Sequence, residues 1–241
     1  IKNSPVSIGG KINNLNIESY KKKKDIRRLD TFIQYGVVAA KQAIDDSGLI
    51  DNHINLDRIG INFGTGIGGV ETIENNHKSY LDKGYRKVSP FFVPGSIANM
   101  TSGFISIKYG LRCPNFCTVT ACLSGSHSVG QAARSIAYGE ADAMVTGGSE
   151  MASTELSISG FISARALSLS TNPKTASRPW DIDRDGFVLS DGAGALILEE
   201  LDHAINRGAN IYAEVIGFGM SSDAYHMTAP PDNGSGAALS M

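Results

Sequence analysis

Apolar residues recur at helical spacing through RLDTFIQYGVVAAKQAIDDSG. Leu29, Phe32, Ile33, Val37, Ala40 and Ile44 share one face, and the pattern ends near Gly48. RIGINF, Arg58 to Phe63, reads as a buried strand, followed by a glycine turn and a helix over about Val70 to Leu81. SPFFVPG, Ser89 to Gly95, carries two prolines and is expected to form no regular element. A helix from about Ile97 to Tyr109 should be stopped by Gly110. FCTVTA reads as a short strand, LSGSHSVGQAARSIAYG as a helix closed by Gly139, and DAMVTGG as the next strand. After a loop-rich stretch, Ser153 to Gly186, GALILEE and IYAEVIGFGM read as strands with LDHAINRG as a short helix between them. Strands alternating with helices predict a layered α/β fold around a largely buried sheet.

Composition narrows the class. The 241 residues are 41% hydrophobic, enough for a substantial core, and the formal net charge of -2 argues against nucleic acid as a partner. No apolar run approaches the roughly 18 residues of a membrane span, which predicts a soluble protein. Three cysteines, an odd number, suit free thiols in a reducing compartment. The opening IKNSPVSIGGKI matches neither a signal peptide nor a transit peptide and reads as a chain entered partway through.

Cys122, in TVTACLSGSHSVG, falls where a strand ends and a helix begins. Unpaired amides and the positive end of the helix dipole face a sulfur at such a turn and favour thiolate over thiol. Ala121, Ser124, Gly125 and Ser126 leave room for a substrate, so the position suits a nucleophile of acyl transfer. A small buried apolar cysteine is the alternative. Cys113 and Cys117 lack this setting and read as structural.

Two other chemistries compete. C-x3-C-x4-C plus His127 could suggest a metal, but it matches none of the common ligand spacings, and a strand through it would splay the side chains. His127, five residues beyond Cys122, reads as a packing residue that points away from the sulfur. Gly64, Gly66 and Gly69 spell G-x-G-x-x-G between a strand and a helix, the local context of a dinucleotide site. No second strand with an acidic end follows about 20 residues on, so the glycines read as close-packing positions.

TACLSGSH, GGSE (Gly147 to Glu150), ARALS (Ala164 to Ser168), SRPWDIDRDGFVLSDGAGALILEE (Ser177 to Glu200) and GFGMSSDAYHMTAPP (Gly217 to Pro231) together resemble the β-ketoacyl-acyl carrier protein synthases, along essentially the whole chain. The type II elongation enzymes of fatty-acid synthesis are the nearest in pattern. The resemblance implies a thiolase fold, αβαβα in layers, of which this chain would hold mainly the cysteine-bearing N-terminal half. It implies a homodimer, no cofactor, no metal, and a decarboxylative Claisen condensation of an acyl thioester with malonyl-acyl carrier protein. Acyl- and malonyl-loaded acyl carrier protein would be the partners. The compartment would be the cytoplasm, or a plastid or mitochondrial matrix after removal of a targeting segment.

Residue by residue, Cys122 matches the acylated nucleophile, and its own amide would supply half of the oxyanion hole. Ile67, Phe92 and Phe161 match acyl-pocket positions, Phe92 near the dimer interface. Lys24, Arg27 and Arg28 match the basic patch for the carrier protein, although KKKKDIRR by itself reads as a solvated face. Asp223 and His226 match a loop beside the active-site entrance, structural or gating in role. Trp180, Asp181, Arg184 and Asp185 match architectural positions. Leu123 departs from the small or hydroxylated residue usual after the nucleophile. Members of the family carry two histidines, a lysine and a glycine–phenylalanine loop in a second half. None of the five histidines here matches that pair, so the chain alone is expected not to condense. A polyketide ketosynthase is the alternative enzyme, and a chain-length-factor-like partner subunit, which characteristically lacks the cysteine, the non-catalytic alternative.

Overall fold

The computed structural model describes residues 4–13, 15, 17, 28–50 and 54–241. The predicted first helix, α1 (Thr31–Ser47), is capped by Asp30, whose carboxylate accepts the Phe32 amide at 3.2 Å, and ends at Gly48 with a left-handed φ of 59°. Its face of Phe32, Ile33, Val37, Ala40 and Ile44 is buried. Each of the large side chains contributes about 1.5–3 kcal/mol by leaving water.

Next come β1 (Ile59–Gly64), α2 (Val70–Lys83), α3 (Phe92–Ser96), α4 (Met100–Tyr109), β2 (Asn115–Phe116) and α5 (Ser124–Ala137). The chain continues through β3 (Ala143–Glu150), α6 (Glu155–Ser163), β4 (Gly192–Glu199), α7 (Leu201–Asn206) and α8 (Ser235–Ser240). The sheet order is β2-β1-β3-β4; β1 runs parallel to β2 and β3, and β4 runs antiparallel to β3 from Ala143↔Glu199 to Glu150↔Gly192.

Strand alternation divides the core. Ile59, Ile61, Phe63, Ala143 and Val145 face α1 and α4 in the main cluster, while Met144 faces Ala132 of α5. Asn62 shares the α5 face, where its Nδ2 donates to the Ser128 carbonyl at 3.2 Å. Every residue of β1 is buried, as expected of a parallel strand covered on both sides. At the far end of β4, Arg207 grips Glu199 with two 2.6 Å bonds and donates to the Ser47 carbonyl at 3.0 Å, tying α7 to the end of α1.

Four elements differ from expectation. SPFFVPG does contain a short helix, α3, because Pro94 lies in its first turn, where no intrahelical N–H bond is lost. FCTVTA pairs only through Phe116; Thr65 then reaches the Thr118 carbonyl at 3.4 Å, and the chain leaves the ladder before Cys122, so Cys117 is not in a strand. The loop-rich stretch holds α6, capped by Thr154 Oγ1, which accepts the Ser157 amide at 3.2 Å. IYAEVIGFGM is not a strand: among the described residues no ladder partner lies alongside it. Its Phe218 packs instead on α5, edge-on to His127 at 6.1 Å and beneath Arg134 at 5.1 Å. Among the described residues no helix is long and apolar enough to cross a membrane.

Candidate active site

Cys122 is free and exposed, in the single 3-10 turn Ala121–Leu123 that leads into α5. The turn is sharp: Ala121 takes a φ of 51°, a left-handed value that costs an L-residue roughly 1–2 kcal/mol. Ser124 holds it. The Ser124 hydroxyl accepts the Thr120 amide at 3.0 Å, and its proton faces the carbonyl oxygens of Ala121 at 2.7 Å and Thr65 at 3.0 Å. Thr120 Oγ1 also lies 2.9 Å from His127 Nδ1, so His127 braces the turn from behind as well as packing on Phe218. Leu123, immediately after Cys122, is exposed.

Small residues let the helix approach. Gly148 of β3 backs onto Gly125 of α5; a β-carbon on Gly148 would stand 3.2 Å from the Gly125 Cα. This lowers the first turn of α5 onto the ends of β1 and β3.

The glycine turn stands beside the thiol turn. A β-carbon on Gly66 would lie 3.5 Å from the Ala121 carbonyl oxygen. Its amides do not face an open cradle: Glu150 Oε2 accepts from Gly66 at 2.5 Å and from Ile67 at 3.2 Å, and Oε1 accepts from Thr65 Oγ1 at 3.1 Å. The donors that a nucleotide phosphate would need are thus held by the protein's own carboxylate. Gly69 serves close packing, since a β-carbon there would meet the Ser96 Cα at 2.5 Å.

Of the expected pocket residues, Ile67 lies in this turn, Phe92 on a helix packed against it, and Phe161 on α6. Ile67 is 49% exposed at its tip. Phe92 begins α3, which packs on the backbone of Gly68 and Gly69 through Ser96. Phe161 lies on α6, edge-on to Phe187 at 5.2 Å, and α6 docks on α2 where the Leu156 amide donates to Glu74 at 3.1 Å. Two cavities, of about 390 and 380 Å³, lie along α2; neither is lined by Cys122 or Ile67.

Lys24 and Arg27 fall outside the described residues; the Arg28 guanidinium stacks 4.5 Å over the Phe91 ring. His226 Nδ1 accepts the amides of Thr228 and Ala229, both at 3.2 Å, which leaves the proton of the neutral ring on Nε2. Asp223 is pressed against Gly236 of α8, so this loop is shaped by its own neighbours. Asp185 accepts from Ser168 Oγ at 2.7 Å and the Leu169 amide at 2.9 Å, in keeping with an architectural role, whereas Trp180 is exposed. Burial pushes the Cys113 and Cys117 thiols up, which disfavours the reactive thiolate at both. Among the described residues no group of three or more His, Cys, Asp or Glu is placed to hold a metal.

Sequence reading gave no role to Thr65 or Glu150 and took Ser124 only as a small neighbour that leaves room. The signal for Glu150 was strand parity: with Thr146 and Gly148 it falls on the α5 face of β3, at the end nearest Cys122.

Comparison with known proteins shows the family and the fold. Residues 8–204 match the family model described as Beta-ketoacyl synthase, N-terminal domain. The chain is 57% identical over 240 residues to 3-oxoacyl-[acyl-carrier-protein] synthase 2 of Vibrio cholerae, covering 99% of this chain and 58% of that protein. It is 49% identical over 236 residues to the protein of the same name from Staphylococcus aureus, covering 98% of this chain and 59% of the relative. Among solved structures, a beta-ketoacyl synthase from Burkholderia phymatum superposes with a TM-score of 0.84 at 30% identity, over 98% of this chain and 59% of that one. A type II polyketide ketosynthase in complex with its acyl-carrier protein (AntDE:AntF) gives 0.77 at 28% identity, over 90% of this chain and 60% of that one. The chain therefore spans a little under 60% of the length of these curated relatives, and its sheet and helices are those of the N-terminal half of the thiolase-like ketosynthase fold. The chain belongs to the beta-ketoacyl synthase family, whose N-terminal domain it carries.

Proposed function

We propose that the complete protein is a 3-oxoacyl-[acyl-carrier-protein] synthase of fatty-acid elongation in which Cys122 is the acylated nucleophile. The observation that carries this is the exposed Cys122 thiol on a strained turn at the head of α5, directly beside the Ile67 turn. The Cys122 sulfur attacks the acyl thioester carbonyl of a loaded acyl carrier protein, and the carrier's thiol leaves with the proton. Malonyl carrier protein then loses carbon dioxide, and the resulting carbanion attacks the Cys122 thioester. The 3-oxoacyl product stays on the carrier and the cysteine is regenerated. The Cys122 amide contributes to the oxyanion hole.

Ile67, Phe92 and Phe161 line the acyl pocket in this reading, and Lys24, Arg27 and Arg28 receive the acidic carrier protein. Asp223 and His226 shape the entrance loop. The enzyme works as a cytoplasmic homodimer. The higher identity to fatty-acid synthases than to the polyketide ketosynthase structure favours a fatty acyl substrate, and the presence of Cys122 disfavours a chain-length-factor role.

Mass spectrometry of the complete protein after incubation with acyl carrier protein bearing a long acyl chain tests the reading. An acyl adduct on the Cys122 peptide, absent in Cys122→Ser, is expected. A folded wild type without adduct would leave only the partner-subunit role.

A further inference from the structure

Three donors of one turn converge on a single carboxylate. Glu150 takes the amides of Gly66 and Ile67 on Oε2 and the hydroxyl of Thr65 on Oε1, at 2.5, 3.2 and 3.1 Å. Successive amides aimed at one oxygen form an anion-binding concavity, and here the anion comes from the end of β3. The turn contains Gly64, Gly66, Gly68 and Gly69, so its backbone has many conformations open to it unless something holds it. Charge-assisted bonds, roughly twice as strong as neutral ones, supply that hold. The other side of the same turn meets the nucleophile: the Thr65 carbonyl accepts from Ser124 Oγ, which in turn accepts the Thr120 amide. Thr120 and Ser124 bracket Cys122.

We propose that Glu150 is a positioning residue for acyl transfer: by gripping the Thr65–Ile67 turn it sets where Ile67 stands relative to Cys122, and so which acyl chains reach the thiol. This deepens the functional reading above and rests on it for the roles of Cys122 and Ile67. Glu150 acts through the turn and touches no reacting atom. Glutamine can replace it in geometry though not in charge, because its carbonyl accepts the two amides while its NH2 donates to the Thr65 hydroxyl. Alanine can do neither.

The test uses the complete protein and two measurements. Hydrogen exchange at the Gly66 and Ile67 amides reports the hold itself. Single-turnover acylation of Cys122 by acyl carrier protein loaded with short and with long chains reports selectivity. Glu150→Ala should speed exchange at both amides by on the order of tenfold and shift the short-to-long ratio of acylation rates by a similar factor. Glu150→Gln should restore both to within about threefold of wild type. A merely structural role would lower all acylation rates together, so an unchanged ratio overturns the proposal, as does unchanged exchange. Should Glu150→Ala fail to fold, Thr65→Val removes one of the three bonds and is read the same way: a shifted ratio supports the proposal and an unshifted one overturns it. Absence of acylation in wild type would sink the functional reading alone, because the exchange rates still decide whether Glu150 holds the turn.

Discussion

Gly64 lies so close beneath Ser124 that a β-carbon on it would stand 2.5 Å from the Ser124 carbonyl oxygen and 2.7 Å from Ser128 Oγ on the next turn. Backbone cannot yield as a flexible side chain does, so any residue larger than glycine at this position displaces the first turn of α5. Gly64→Ala in the complete protein should slow Cys122 acylation by on the order of tenfold or more and lower stability by about 1–3 kcal/mol. Thiol-adduct kinetics and thermal denaturation check this together.

Gly160→Ala is the matching control. Among the described residues, no atom beyond its chain neighbours and the adjacent backbone of α6 lies within 4 Å of a β-carbon built there. The helix should gain about 0.5–1 kcal/mol, visible as a raised Tm with acylation unchanged.

Glu199 sets an acid-sensitive brace. Burial pushes its carboxyl up, but hydrogen bonds from Arg207 and His203 outweigh burial and hold it below the ordinary carboxylate value. A depressed folded pKa gives stability that is present above the unfolded value and lost as pH falls through the folded one. Glu199→Gln should therefore cost about 1–3 kcal/mol near neutral pH, and the gap to wild type should close under acid. Tm measured from about pH 7 down to about pH 3 reads both.

Tyr109 carries a buried hydroxyl with no hydrogen-bond partner among the described residues. Burial, reinforced by Asp45, pushes its pKa up to about 12. Tyr109→Phe removes an unpaired polar atom without leaving a void and should be neutral or stabilising by up to about 1 kcal/mol. Alkaline ultraviolet titration should lose one high-pH tyrosine step in the variant.

Ser124→Ala should separate the two halves of the site. It removes the hydroxyl that accepts the Thr120 amide and reaches the Thr65 and Ala121 carbonyls. A loss of about 1–3 kcal/mol is expected, together with a drop in Cys122 acylation that unfolding alone does not account for, measured well below the variant's Tm.

The periodic part of the fold was readable because local pattern and final burial agree. α1 shows one apolar face and buries it, and RIGINF is apolar throughout and becomes the fully buried β1. The turn that carries Cys122 was readable because a small-residue run before a helix is a local feature. IYAEVIGFGM failed for the opposite reason: a strand is made by its partner, and Phe218 found the surface of α5 instead of a ladder. Pro90 and Pro94 concealed α3, since whether a proline breaks a helix depends on its position within it.

The pattern of apolar and small residues along the chain determined α1, α2, α4, α5, α7, β1, β3 and β4, because each depends on neighbours within a few residues. Only the tertiary structure decided that the glycine motif is filled by Glu150, some 83 to 85 residues away along the chain. The bonds that register Ile67 against Cys122 join the ends of β1 and β3 to the head of α5, and those segments meet only when the parallel sheet forms and α5 closes over it.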